Sequence, residues 1–247
     1  MKVALVCIAK NEDRYIQEWT DYNKKLGFDD IFIYQNDWRC QLEDPNIIKI
    51  ELDGVNQQRV AYNHFIKNNY NNYDWAAFFD VDEFLVLKKH KNIKEFILDY
   101  SNHQAIGVNW VLFGNNGISK IGNDTSVLRR FTKRQNSINP HIKSIVKLSN
   151  NLTMDVHNPL SISITNTNHK TFKGPFNNPG DDSIAQLNHY FCKTEEEFIE
   201  KCNRGRADVP NQGNKRTMNE FTGHNFNDLE DLTALNFLYD NNNLLNT

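Results

Sequence analysis

Residues 3–8 read VALVCI, six apolar side chains in unbroken succession. A strand with one wet face alternates apolar and polar residues, so a run of this kind must be covered on both faces, as in the parallel sheets of α/β proteins. The residues after it suit such a sheet. Tyr15, Ile16, Trp19, Tyr22 and Leu26 recur at helical spacing over 13–26, and Gly27 supplies a stop. Strands are expected over 31–34, 47–52 and 75–79. Helices are expected over 55–66, with Val60, Ala61 and Phe65 on one side, and over 93–100, after Val86 and Leu87. This alternation predicts an α/β fold: an open, mostly parallel central sheet with helices on both faces.

Beyond residue 104 the pattern changes. Strands are expected over 106–113, 126–131 and 143–148, with a weak alternation over 161–164, separated by the turn GNNG at 114–117 and the loop NNPGDD at 177–182. Thr194 and Glu197 form a capping-box pattern that opens a helix through Phe198 and Cys202. An amphipathic helix is expected over 229–239, before a polar end. With 247 residues of which 39% are hydrophobic, the chain can bury one large core. We divide it into an α/β half (1–104), a smaller mixed β half of the same domain (105–215) and a helical tail (216–247). No repeat or linker separates two large domains.

The formal net charge of −3 gives no electrostatic reason to expect nucleic acid. Cys7, Cys40, Cys192 and Cys202 are scattered without a CxxC pair, which suggests reduced thiols in a cytoplasmic protein. The opening apolar run is too short for a membrane span and lacks a signal-type cleavage region.

The stretch FFDVDEF at 78–84 ends a core strand in three acids. In an open parallel sheet, ligands bind beyond the carboxyl ends of the strands. Two aspartates separated by one residue, Asp80 and Asp82, can direct their carboxylates at a common hard cation, which offsets their repulsion and the cost of partial burial. Mg²⁺ or Mn²⁺ there would keep open positions for phosphate oxygens and neutralise a diphosphate leaving group.

VALVCIAKNE, IFIYQND, WAAFFDVDEFL, IGVNWVLFGNNG, HIKSIVKL and LNHYFCKTEEEFIEKCNRGRAD, in that order, resemble the family 2 and family 92 type of GT-A glycosyltransferases over roughly residues 3 to 208. The resemblance implies a nucleotide-sugar-dependent transferase in which Asp80 and Asp82 form the DxD motif. It places Lys10, Asn11 and Glu12 at the donor nucleotide, although Asn11 and Glu12 equally suit a helix cap. Asn36 and Asp37 occupy the corresponding loop after the second strand, and Arg59 would face the donor phosphates unless it is a solvated surface group. His189 resembles the late histidine that completes the metal shell; a neutral imidazole suits Mn²⁺ better than Mg²⁺. Lys193, Arg204 and Arg206 come after it, on a segment able to pair with the diphosphate. His64 is read as structural.

For the acceptor, Trp110, Phe113 and the glycine turn after them are the candidates. Arg129, Arg130 and Lys143 sit at expected strand positions, where an unpaired charge is costly, so they are expected to face a cleft. An inverting transfer needs a carboxylate base, for which Glu83 and Asp182 are the candidates. The expected activity is transfer of a hexose, glucose or galactose, from a UDP-sugar to a glycan or lipid-linked saccharide in surface polysaccharide synthesis, compatible with peripheral association at the inner face of the membrane. The alternatives are a sugar nucleotidyltransferase, whose usual glycine-rich basic loop is not AKNEDR, and a non-catalytic carbohydrate- or nucleotide-binding protein of the same fold. Two separated carboxylates, as a glycosidase needs, are not suggested by adjacent acids.

Overall fold

A computed structural model describes residues 1–205 and 216–239. Strands β1 (Val3–Ala9), β2 (Asp30–Gln35), β3 (Ile47–Glu51) and β4 (Trp75–Phe78) are parallel, with β1 between β2 and β4. The next strands are β5 (Glu83–Leu87), β6 (Ala105–Leu112), β7 (Lys133–Arg134), β8 (Ile142–Lys147), β9 (Ile164–Thr165), β10 (Thr171–Phe172), β11 (Ala185–His189) and β12 (Leu229–Glu230). The main sheet runs β10-β9-β6-β8-β4-β1-β2-β3, and β8 is antiparallel to both β4 and β6. The expected open α/β sheet is therefore present, with its mixed region on the β6–β10 side. The helices are α1 (Ile16–Leu26), α2 (Gln58–Asn69), α3 (Ile93–Asp99), α4 (Val127–Arg130), α5 (Glu195–Arg204), α6 (Met218–His224) and α7 (Thr233–Tyr239).

The run at 3–8 is apolar throughout because each face of β1 meets a different core. Val3, Leu5 and Cys7 pack with Trp19 and Tyr22 of α1 and Phe96 of α3, while Ala4 and Val6 pack with Tyr62 and Phe65 of α2. Burying each large side chain contributes about 1.5–3 kcal/mol. Helix α1 stops where Gly27 turns left-handed (φ 98°) and donates to the carbonyls of Asn23 and Lys24. Helix α2 begins at Gln58 rather than at residue 55, because Gly54 (φ 106°) and Asn56 (φ 57°) hold left-handed backbone that a helix cannot continue.

Two further expectations are corrected. Residues 126–131 form no strand: the Ser126 hydroxyl accepts from Arg129 N, Glu18 on α1 accepts from Val127 N at 2.6 Å, and the short α4 results. Arg129 and Arg130 therefore do not face a cleft from a strand; Arg129 pairs with Asp124, and Arg130 with Glu197 at 2.8 Å. The helix expected over 229–239 is split. Leu229–Glu230 pairs with Lys133–Arg134, and Asp231 then caps α7 through Thr233 N at 3.0 Å. All four cysteines are free thiols, and no helix among the described residues is long and apolar enough to cross a membrane.

Candidate active site

The chain leaves β1 for β2 and β3 on one side and returns to β4 on the other, so the crevice beyond the carboxyl ends of β1 and β4 is the switch point of the sheet. A cavity of about 560 Å³ opens there. Lys10, Glu12, Asn36 and Asp37 line it from the loops after β1 and β2, Asp80 and Asp82 from the turn after β4, Trp110, His141, His157 and His189 from β6, β11 and the loops beside β8, and Lys201 and Arg204 of α5 with Arg216 and Glu220 form a further wall.

The acid turn is built by its own backbone. Glu83 N donates to Asp80 O, and Asp80 N donates to Glu83 Oε2 at 2.8 Å, so the turn closes on itself before β5 begins. Strand β11 lies between β5 and β6, with His189 opposite Glu83 and beside Leu112, and Tyr190 N donates to Asp82 O. That pairing carries His189 to the acids from a position 107 residues later in the chain than Asp82.

Each acid has a buried lysine as partner. Asp80 accepts from Gln58 Nε2 at 2.7 Å and from Lys143 Nζ at 2.9 Å. Lys143 is fully buried on β8 and also lies 3.6 Å from Glu83; burial disfavours its charge, but Asp80 outweighs burial and holds it ionised. Asp82 accepts from Lys201 Nζ at 2.7 Å and stands 3.6 Å from His189 Nε2. Burial opposes ionisation of Asp82, yet Lys201 and Lys193 hold its carboxyl well below the usual range. Burial pushes His189 well below its ordinary value, which leaves the ring neutral. Lys201 is pushed down to about 8, first by burial and then, against the pull of Asp82, by Arg216, Lys193 and Arg204.

An ionised carboxylate beside a neutral imidazole suits a divalent cation. Among the described residues no three His, Cys, Asp or Glu side chains converge into a cage. Asp82 and His189, with Asp80 held nearby by Gln58 and Lys143, are the residues that would hold such an ion, and by themselves they fall short of a cage.

Other residues singled out from the sequence fall in different places. Lys10 pairs with Asp37 at 2.8 Å, and Arg204 binds Glu12 at 2.6 Å and the Lys10 carbonyl at 2.8 Å, which ties α5 to the tip of β1. Asn36 lines the cavity but spends its amide on the carbonyls of Leu52 and Gly54. Asn11 and Lys193 face a second cavity of about 610 Å³ on the other side of Arg204, and both hold left-handed backbone (φ 54° and 51°). The Lys193 ammonium sits 4.2 Å above the Tyr15 ring. His64 hydrogen-bonds the Tyr34 hydroxyl away from the cavity. Arg206 lies outside the described residues.

Several expected roles do not survive the geometry. Arg59 points away and pairs with Asp155 at 2.7 Å; its neighbour Gln58 reaches Asp80 instead. Glu83 is fully buried and outside the cavity wall, its carboxyl pushed well above the ordinary range by burial, with Asp80 and Asp82 adding to the shift against Lys143. Asp182 lies beyond the far end of β11, held by Lys88 at 2.9 Å and Arg134 at 3.5 Å. Neither can take a proton from a substrate in this cavity. Phe113 is buried against Tyr190, and the GNNG turn is covered by residues 225–227, which accept from Asn115 N and Asn116 N. Of the expected acceptor residues only Trp110 reaches the cavity. Sequence reasoning missed Gln58, Lys201, His141, His157, His224 and Arg216. A signal existed for Lys201, which shares the buried face of α5 with Glu197 and Phe198.

The profile of glycosyltransferase family 92 matches residues 44–223. Family 92 proteins of Oryza sativa subsp. japonica, Ricinus communis and Arabidopsis thaliana are 25%, 24% and 23% identical over 79%, 81% and 83% of this chain. The chain spans about a third of the length of each, 34%, 37% and 39%.

Proposed function

Given that this chain belongs to glycosyltransferase family 92, we propose that it transfers a hexose, glucose or galactose, from a UDP-sugar to a glycan or lipid-linked saccharide in surface polysaccharide synthesis, with Mn²⁺ or Mg²⁺ at the acid turn. One observation carries this reading: the Asp80–Asp82 turn and the Lys201, Arg204 and Arg216 wall face one cavity at the switch point of the sheet. This arrangement supports the reading because it would set a hard cation at the acids beside basic side chains able to pair with a diphosphate.

The nucleoside end of the donor would lie along Lys10, Glu12 and Asn36. Its diphosphate would lie under Lys201, Arg204 and Arg216, whose charges orient it and stabilise the negative charge that grows as the sugar departs. Asp82, His189 and Asp80 would hold the cation, which when bound supplies Lewis-acid neutralisation of the leaving group. Lys143 and Gln58 hold the Asp80 carboxylate in place from behind, and Glu83 fixes the backbone beneath it. A lipid-linked acceptor would place the protein at the cytoplasmic face of a membrane.

The test is calorimetric titration of UDP with and without Mn²⁺, joined to a transfer assay on Asp80→Asn and Asp82→Asn. UDP should bind measurably only with metal, and each variant should lose at least about 100-fold in turnover while unfolding cooperatively. Undiminished metal-dependent turnover in both variants would sink the assignment.

A further inference from the structure

The second cavity, of about 610 Å³ behind Arg204, is lined by a lysine that the donor cavity does not use. Lys193 is only 4% exposed, and its ammonium rests on the face of the Tyr15 ring, 4.2 Å from the centroid. Among the described residues no carboxylate stands within 4 Å of it and it donates no hydrogen bond. A cation–π contact recovers only part of what burying an ammonium costs, so this charge lacks its counter-charge. Asp82 feels it from a distance but already bonds Lys201 at 2.7 Å. The backbone is also held against local preference: Lys193 is left-handed (φ 51°), as is Asn11 in the same lining (φ 54°). Asparagine tolerates that conformation, whereas lysine adopts it at a cost.

The other charges lining this cavity are answered. Arg14 donates to both oxygens of Glu200, at 2.5 and 3.3 Å, and Glu197 accepts from Arg130 at 2.8 Å and from Tyr15 at 2.6 Å. Arg204 is bound to Glu12. Asp13 is exposed and accepts from Trp38 Nε1 at 2.8 Å, so water screens its charge. What is left is the buried ammonium of Lys193, with the amides of Asn11 and Asn203 in the same lining as further N–H donors. Such a set calls for an anion. A carboxylate is held best by the fork of an arginine, and both arginines here are committed to glutamates; a phosphate suits the point charge of a lysine joined by single N–H donors. We propose that the second cavity binds a phosphate group at Lys193, with Asn11 and Asn203 donating to its remaining oxygens. The cavity has the size of a small-molecule site, so the phosphate is carried by a larger molecule, either a lipid-linked saccharide or a water-soluble phosphate ester. The inference stands apart from the donor reading, because Lys193 and Asn11 do not line the donor cavity.

The experiment titrates inorganic phosphate, glycerol 1-phosphate and farnesyl phosphate into the full chain by calorimetry without metal, on the wild type, Lys193→Met, Asn11→Gly and Arg216→Met. The wild type should bind one phosphate per chain, and Lys193→Met should weaken that binding at least about tenfold. Asn11→Gly removes the amide and keeps the left-handed backbone accessible, so it should weaken binding about threefold; it decides the point should Lys193→Met not fold. Arg216 lines the donor cavity and not the second one, so Arg216→Met should stay within about twofold of wild type. Phosphate should raise the melting temperature of the wild type and leave that of Lys193→Met unmoved. A tighter fit of farnesyl phosphate than of glycerol 1-phosphate assigns the phosphate to a lipid-linked saccharide, and equal binding assigns it to a water-soluble ester. The inference is overturned if phosphate does not bind, if acetate competes as well as phosphate, or if Lys193→Met and Asn11→Gly bind it as the wild type does. Loss of binding in Arg216→Met would place the anion in the donor cavity and overturn it equally. Failure of UDP to bind with Mn²⁺ would strike the donor reading and leave these outcomes unaffected.

Discussion

Lys201 Nζ stands 2.7 Å from Asp82 Oδ2, 3.1 Å from the Phe191 carbonyl and 4.2 Å from the centroid of the Phe191 ring. Both charged groups are more than nine-tenths buried, so each depends on the other. Lys201→Met should leave a buried carboxylate without its cation and destabilise the fold by about 3 kcal/mol. Urea denaturation checks this, and the double variant Asp82→Asn/Lys201→Met should recover most of the loss. Equal stability of wild type and Lys201→Met would show that the pair does nothing for the fold.

Glu83 is a positioning residue, not a base. Glu83→Gln keeps an oxygen for the Asp80 N–H, so turnover should stay within about threefold of wild type, whereas loss of a general base costs about 10²–10⁴-fold. Asp182→Asn should likewise leave turnover intact. Steady-state kinetics on the two variants decide the point, and a hundredfold drop in kcat in either returns that residue to the chemistry.

Glu197 links α5, α4 and α1. Burial would raise its pKa, but hydrogen bonds from Arg130, Tyr15 and Thr194 outweigh burial and lower it to about 2. The folded pKa thus lies below the unfolded value of about 4.5, so the unfolded chain takes up the proton first as pH falls. The contribution is complete above about pH 4.5 and is lost as pH falls toward about 2, amounting to roughly 3 kcal/mol. Glu197→Gln should flatten stability against pH within that window and leave it unchanged in slope above pH 6; a slope identical to wild type below pH 4.5 contradicts the assignment.

Gly114 lies under the segment that covers the GNNG turn. A Cβ there would stand 2.3 Å from the Phe226 carbonyl and 2.5 Å from Asn227 Oδ1, and backbone cannot yield as a flexible side chain can. Gly114→Ala should destabilise by about 1–3 kcal/mol and speed limited proteolysis near residues 225–227. Cleavage at the wild-type rate would mean that the segment accommodates the methyl group.

The α/β sheet was legible because its signal is local. A strand covered on both faces must be apolar at every position, and α1 can be read from the helical spacing of Trp19, Tyr22 and Leu26, whatever lies elsewhere. The acids at 80 and 82 were legible for the same reason, since a buried run that ends in charge can be read without knowing its neighbours. Residues 126–131 misled because the alternation there is weak and the deciding contact is Glu18, more than a hundred residues away. The base candidates failed because proximity to the motif in sequence says nothing about which way a side chain faces: β5 turns Glu83 into the core, and β11 carries Asp182 to its opposite end.

The amino-acid sequence by itself determined the strand that carries the acids, the open sheet around it and the helices that cover it, because periodicity and burial act within a few residues. Only the tertiary structure decided what meets those acids. Lys201 reaches Asp82 across 119 positions of chain, Lys143 reaches Asp80 across 63, and His189 arrives through the pairing of β11 with β5 and β6. Such pairings are set by how whole elements pack, and a buried ion pair forms only where packing brings both partners out of water together.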